Sequence, residues 1–253
     1  MRKILLLCLL MIGSGSYLSA STRAEVNILE ATENIRYLSQ DITKNYLYYY
    51  ANPKKESIRK KVLADLEKLV SDIRTIAITT NNQDSKDILE FLTYSKNQIE
   101  EILKSKPDKE KAALMLDYSE TLLEGANSIA KQHSYIYTDS EKMLLTSKNI
   151  GFFMERIEKY YLAVGIGLSS SINIRLMKDA IRSFNKNIED VMKYDSYPKS
   201  LSKKRELLYK YWLTSRSLIE KYKEFFVPDI VELTTDKVEK IAENFIVYHS
   251  KNQ

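Results

Sequence analysis

The sequence predicts an all-α protein: duplicated antiparallel helical-bundle units, about eight helices in all, forming an elongated bundle. Three observations predict it. Glycine and proline are scarce, six and four in 253 residues. Apolar residues recur three and four apart almost throughout, the mark of amphipathic helices, and strand-like alternation is nearly absent. Stretches of the first half also return, in order, in the second half at a nearly constant spacing.

The chain opens on a targeting pattern. Arg2 and Lys3 form a basic start, Ile4 to Ile12 an apolar run, and Gly13 to Ala20 a small-residue region. A spanning helix needs roughly 20 apolar residues and this run is about half that, so residues 1–20 read as a cleaved signal peptide and the chain as exported, to a periplasm. Cys8 is the only cysteine and lies in that leader, which leaves the remainder without disulfides or thiolate chemistry. Without Arg2 and Lys3, 37 basic residues face 34 acidic ones, a formal charge of +3. That balance argues against nucleic acid as a partner.

Breaks in the periodicity place the helices near 24–51, 54–78, 85–104, 108–133, 138–164, 171–194, 200–225 and 229–249. Asn52-Pro53 reads as an N-cap with proline at the first helical position. Pro107, Pro198 and Pro228 mark three further starts. "TTNNQDS" (79–85) and "GIGLSSS" (165–171) are turn-rich breaks, and Thr138 with Glu141 fits a capping box.

The internal repeat is specific. Val62, Leu66, Leu69, Ile73 and Ile76 form the stripe of the second helix, and adding 115 gives Met177, Ile181, Phe184, Ile188 and Val191 of the sixth. The same offset carries Ile35, Leu38, Ile42, Lys44, Tyr46 and Leu47 to Ile150, Phe153, Ile157, Lys159, Tyr161 and Leu162. At an offset of 116, "ANSIAKQHS" (126–134) meets "AENFIVYHS" (242–250), which makes the two histidines equivalent. Shared lysine and histidine positions, in constant order, argue for duplication into units at 24–134 and 138–250. The short join between them predicts units packed together or sharing a continuous helix.

In the first helix, polar residues crowd the apolar seam. On a wheel centred at Ile35, Ser39 falls at about 40°, Thr43 at about 80°, Arg36 at about 100° and Gln40 at about 140°. A structural role would have Arg36 lay its stem along the core edge and pair with an acid, and Ser39 bond back to its own helix.

The stretch "RYLSQDITKNYL" (36–47) resembles the first-helix motif R-M-L-S-Q-x-x-x-K-x-Y-L of the PilJ/NarX-like family, matching at Arg36, Leu38, Ser39, Gln40, Lys44, Tyr46 and Leu47. These are periplasmic sensor domains of type IV pilus chemotaxis transducers and nitrate-responsive kinases. The resemblance implies ligand binding by Arg36, with Ser39 and Gln40 as secondary contacts, and a dimer in which two arginines grip one anion. A guanidinium suits a planar oxyanion because it offers a fixed fork of N–H donors. Two departures stand out. Glu33 replaces the family's glycine, setting a carboxylate near the arginine, and the second copy has Gly151, Met154 and Glu155 at the arginine, serine and glutamine positions.

Other patterns are read as structural. His133 and His249 sit where a last-turn histidine complements the helix dipole. No metal or haem spacing accompanies them, so no metal, cofactor or catalytic set is expected. "YLYYY" (46–50) and "KYY" (159–161) suggest rings in the bundle with hydroxyls at its rim, and the basic run at 199–210 a solvated face. The sequence therefore predicts a non-enzymatic, sensor-type binding module for a small anion or metabolite, for a membrane receptor or kinase, or for both. The competing expectation is a ligand-free envelope adaptor or chaperone-like bundle.

Overall fold

A computed structural model describes residues 23–252; the leader read at residues 1–20 lies outside them. The described residues form eight helices and no strand: α1 (Arg23–Ala51), α2 (Glu56–Thr79), α3 (Gln83–Leu103), α4 (Lys109–Gln132), α5 (Asp139–Gly165), α6 (Ser171–Lys193), α7 (Lys199–Glu220) and α8 (Pro228–Lys251).

Local chemistry explains most ends. The side chains of Asn82, Asp108 and Ser170 accept backbone N–H bonds at the starts of α3, α4 and α6. Thr138 and Glu141 close a capping box on α5, and Pro228 occupies the first turn of α8. Two expectations change. Asn52 does not cap α2; its N–H bonds back to the carbonyls of Tyr48 and Tyr49 and closes α1, while Pro53 sits in the turn. Helix α7 stops at Glu220, five residues short of the expected end. The chain turns at 221–224, and before Pro228 Phe226 packs on Tyr161 (5.2 Å between centroids) and the Val227 N–H donates to the Tyr161 hydroxyl.

Helices α1 to α4 close a four-helix ring in which α1 touches α2 and α4, and α3 bridges them. Helices α5 to α8 repeat that neighbour pattern, with α5 against α6 and α8. The stripes expected to be core are core: Val62, Leu66, Leu69, Ile73 and Ile76, and likewise Met177, Ile181, Phe184, Ile188 and Val191, are all buried. The two rings share no continuous helix. They join side by side through α1 and α5.

Helices α1 and α5 run parallel. Glu33 meets Lys148, Arg36 meets Asn149 and Phe152, Gln40 meets Arg156, and Lys44 meets Glu155 and Glu158. Each helix therefore has its own ring on one side and the other ring on the opposite side. Every residue from Leu38 to Tyr48 and from Met154 to Val164 is buried. An amphipathic pattern predicts one wet face; here both faces are covered.

Candidate functional site

Burying a helix on all sides traps its polar residues, which must then satisfy one another. The seam does this with two charge clusters. In the first, the Lys44 ammonium lies 2.9 and 2.8 Å from the two oxygens of Glu155, 3.5 Å from Asp41 and 3.7 Å from Glu158. Asp41 is also paired with Lys61, which reaches Asp65 at 2.8 Å. Thr235 donates to Glu158 at 3.0 Å, and the Tyr37 hydroxyl lies 3.3 Å from Glu155 and 3.5 Å from Glu239. In the second, Glu120 takes both terminal nitrogens of Arg156 and the Lys159 ammonium, each at 2.7 Å.

Burial works against the Lys44 charge, yet Glu155, Glu158 and Asp41 hold its pKa well above that of a free lysine. Burial would raise Asp41, but Lys44 and Lys61 bring it down to about 2. Carboxylates outnumber cations here, so burial prevails elsewhere. It lifts Glu155 to about 7 and Glu158 to about 8 despite Lys44. A carboxyl whose pKa is raised on folding favours the fold below its unfolded value and loses that contribution as pH climbs through the folded value. We expect Glu158→Gln to remove one such loss. Relative to the parent, the variant should gain on the order of 1 kcal/mol between about pH 5 and about pH 8 in urea titrations. A pH-independent difference would show that Glu158 is ionised throughout.

Beside the first cluster, a cleft of about 390 Å³ opens between α1, α5 and α8, within the size range of small-molecule sites. Arg36 lies on its wall. The guanidinium sits 4.5 Å over the Phe152 ring and donates to the Asn149 amide oxygen at 3.4 Å, and its Nε has no partner. Burial lowers the Arg36 pKa, with Glu33 opposing. Glu33 is paired with Lys148, so much of the repulsion expected from its carboxylate is cancelled. At Gly151 a Cβ would stand 3.6 Å from the Tyr37 ring, an ordinary contact. A second groove, between α1 and α2, is lined by Asp41, Lys61, Asp65 and Lys68, whose charges already pair with one another.

The structure separates the three residues expected to bind ligand. Arg36 lines the cleft. Ser39 and Gln40 do not; both are buried toward the second cluster. The Ser39 hydroxyl donates to the Arg36 carbonyl at 2.8 Å, bonding back along its own helix as the structural role requires, and Gln40 donates to Ser39 and accepts from Arg156 at 3.2 Å. Tyr37, Phe152 and Glu239 belong to the site and carried no sequence signal, because each becomes significant only when α1, α5 and α8 meet.

Both histidines sit at helix C-termini as read, His133 at the end of α4 and His249 in the last turn of α8, and burial works against a charge on either. Burial lowers both pKa values, and the His249 Nε2 lies 2.8 Å from the Tyr197 hydroxyl, amid the rings of Tyr194 and Tyr248. The tyrosines at 46, 48, 160 and 161 are wholly buried. Among the described residues, no three metal-ligating side chains converge and no helix is long and apolar enough to cross a membrane. Comparison with family models, with curated proteins and with solved structures finds no match for this chain.

Proposed function

We propose that the chain is an exported, non-enzymatic binding module of the sensor type, a duplicated pair of PilJ/NarX-like units that takes a small anionic ligand in the cleft between α1, α5 and α8. The observation that carries this reading is Arg36, a cation lining the cleft wall over Phe152 with a neutral amide, not a carboxylate, as its hydrogen-bond partner, and with an unpartnered Nε enclosed behind that wall. A guanidinium so placed keeps hydrogen-bonding capacity for an oxyanion. Because the cleft lies where the two rings meet, a ligand that prefers one spacing of α1 and α5 would shift their equilibrium, and a receptor or kinase could read that shift.

Thermal-shift measurements against nitrate, nitrite and small carboxylates test this. A ligand at a hundredfold its Kd adds about 2.7 kcal/mol, which for a chain of this size raises Tm by roughly 5–10 °C. We expect such a rise in the parent and none in Arg36→Ala. A rise that survives Arg36→Ala would remove Arg36 from the site. The second reading, a ligand-free adaptor, is favoured by the exposed apolar residues Phe91 and Tyr94 on α3; no shift across the panel would support it.

A further inference from the structure

The cleft has two ends of opposite chemistry. On the α1 side stands Arg36, with its unpartnered Nε. On the α8 side stand Glu239 and Glu243, one helical turn apart. The Glu239 Oε1 is likewise buried without a partner. Its other oxygen lies 3.5 Å from the Tyr37 hydroxyl, whose single proton is nearer to Glu155, at 3.3 Å, and the Glu239 carboxyl shares a hydrogen bond with Glu155. Lys148 and Glu33 also line the cleft but neutralise each other. What remains is the Arg36 guanidinium at one end and, at the other, Glu239 and Glu243, neither of them in an ion pair among the described residues, with the apolar surface of Phe152, Leu145 and Ile246 between and around them.

A simple anion would occupy Arg36 and leave the Glu239 end unmet. A simple cation would do the reverse. Each buried group left unpaired costs binding, so a molecule carrying both charges fits the site best. We infer that the cleft binds a zwitterion, a free amino acid with an apolar side chain, whose carboxylate meets Arg36 and whose ammonium meets Glu239 and Glu243. This rests on the proposed anion site and adds the second charge to it.

The surroundings of Glu239 agree. Burial and Glu155 raise its pKa well above that of a free carboxyl, with Asp41 adding and Lys44 opposing. An excess of acid over base is thus confined beside the cleft, and a ligand ammonium is the cation the cluster lacks.

Isothermal titration of the purified protein with L-leucine, L-phenylalanine and the analogues that lack the amine, isocaproate and hydrocinnamate, tests the inference. We expect each amino acid to bind at least about tenfold tighter than its analogue, the fold-change that one hydrogen bond to a charged group supplies. Glu239→Gln should bring that ratio close to one by weakening the amino acids. Glu243→Gln, at an exposed position, should reduce the ratio without touching the buried cluster, and so keeps the test open if Glu239→Gln does not fold. Equal affinity for amino acid and analogue in the parent overturns the inference and leaves the anion site standing. Absence of binding by every proteinogenic amino acid, with an Arg36-dependent shift from a simple anion, does the same. Loss of Arg36 dependence for all ligands overturns the anion site itself.

Discussion

Lys44→Met is expected to destabilise the fold by about 3–5 kcal/mol at neutral pH, the cost of leaving buried carboxylates without their cation. The methionine fills the space of the lysine stem, so little of this comes from a cavity. Asp41, Glu155, Glu158 and Glu239 would be left with Lys61 as the remaining cation of the cluster, and Lys61 reaches Asp41 from the half-exposed α2 side. At roughly 2–4 °C per kcal/mol for a chain of this size, Tm should fall by about 6–20 °C. The deficit should shrink toward about pH 5, because Glu155 and Glu158 already hold their protons there and have less charge to bury. Adding Glu155→Met should restore part of the loss, since a matched apolar pair costs less than half of an ion pair. Chemical denaturation followed by circular dichroism reads all three. A single-variant loss below about 1 kcal/mol would mean that water reaches the seam and screens it.

The second cluster makes a prediction of opposite pH dependence. Glu120 is the carboxylate that holds both Arg156 and the wholly buried Lys159. Burial would raise its pKa, but Lys159 and Arg156 bring it down to about 2. Even with this partner, burial drops the Lys159 pKa to about 7. Glu120→Gln removes the anion and should cost about 2–4 kcal/mol under mildly acid conditions. The sign follows from proton counting. A lysine whose pKa is lower folded than unfolded binds fewer protons in the fold, so stability rises with pH across the interval between the two values. Without Glu120 the folded value drops further and the interval widens downward. The variant's deficit should therefore be largest near about pH 5 and shrink by about pH 8, as Lys159 discards its proton. A deficit that is constant over that range would show that Lys159 is neutral in the parent too.

Much of the helical scaffold was legible in the sequence. The stripe of α2 and that of α6 are buried as read, and the capping box at Thr138 works as its spacing requires. Errors fell where a residue type allowed two roles. Asn52-Pro53 could start α2 or end α1, and the carbonyls of Tyr48 and Tyr49 decided for the latter. The seam was read less well. On the wheel, Arg36, Gln40 and Thr43 only flank the apolar edge of α1, a pattern shared with any helix that has one wet side. The one hint was lysine at both 44 and 159, 115 residues apart in similarly patterned stretches and beside apolar neighbours. A charge kept at matching positions along a packing stripe is a candidate for burial with a partner, yet no spacing identifies that partner. Glu155, Glu158 and Glu239 come from elsewhere in the chain.

By itself, the sequence determined helix count, most helix ends and which stripes turn inward, because those depend on periodicity and on residues within a turn of one another. Only tertiary structure decided that α1 and α5 lie parallel with both faces covered, that Ser39 and Gln40 are enclosed while Arg36 reaches a cleft, and that Glu239 stands in that cleft with it. The reason is physical. Burial of a polar group and the shift of its pKa are set by everything within a few ångströms, and those neighbours belong to other helices, from 20 residues away for Lys61 and Asp41 to 202 for Tyr37 and Glu239.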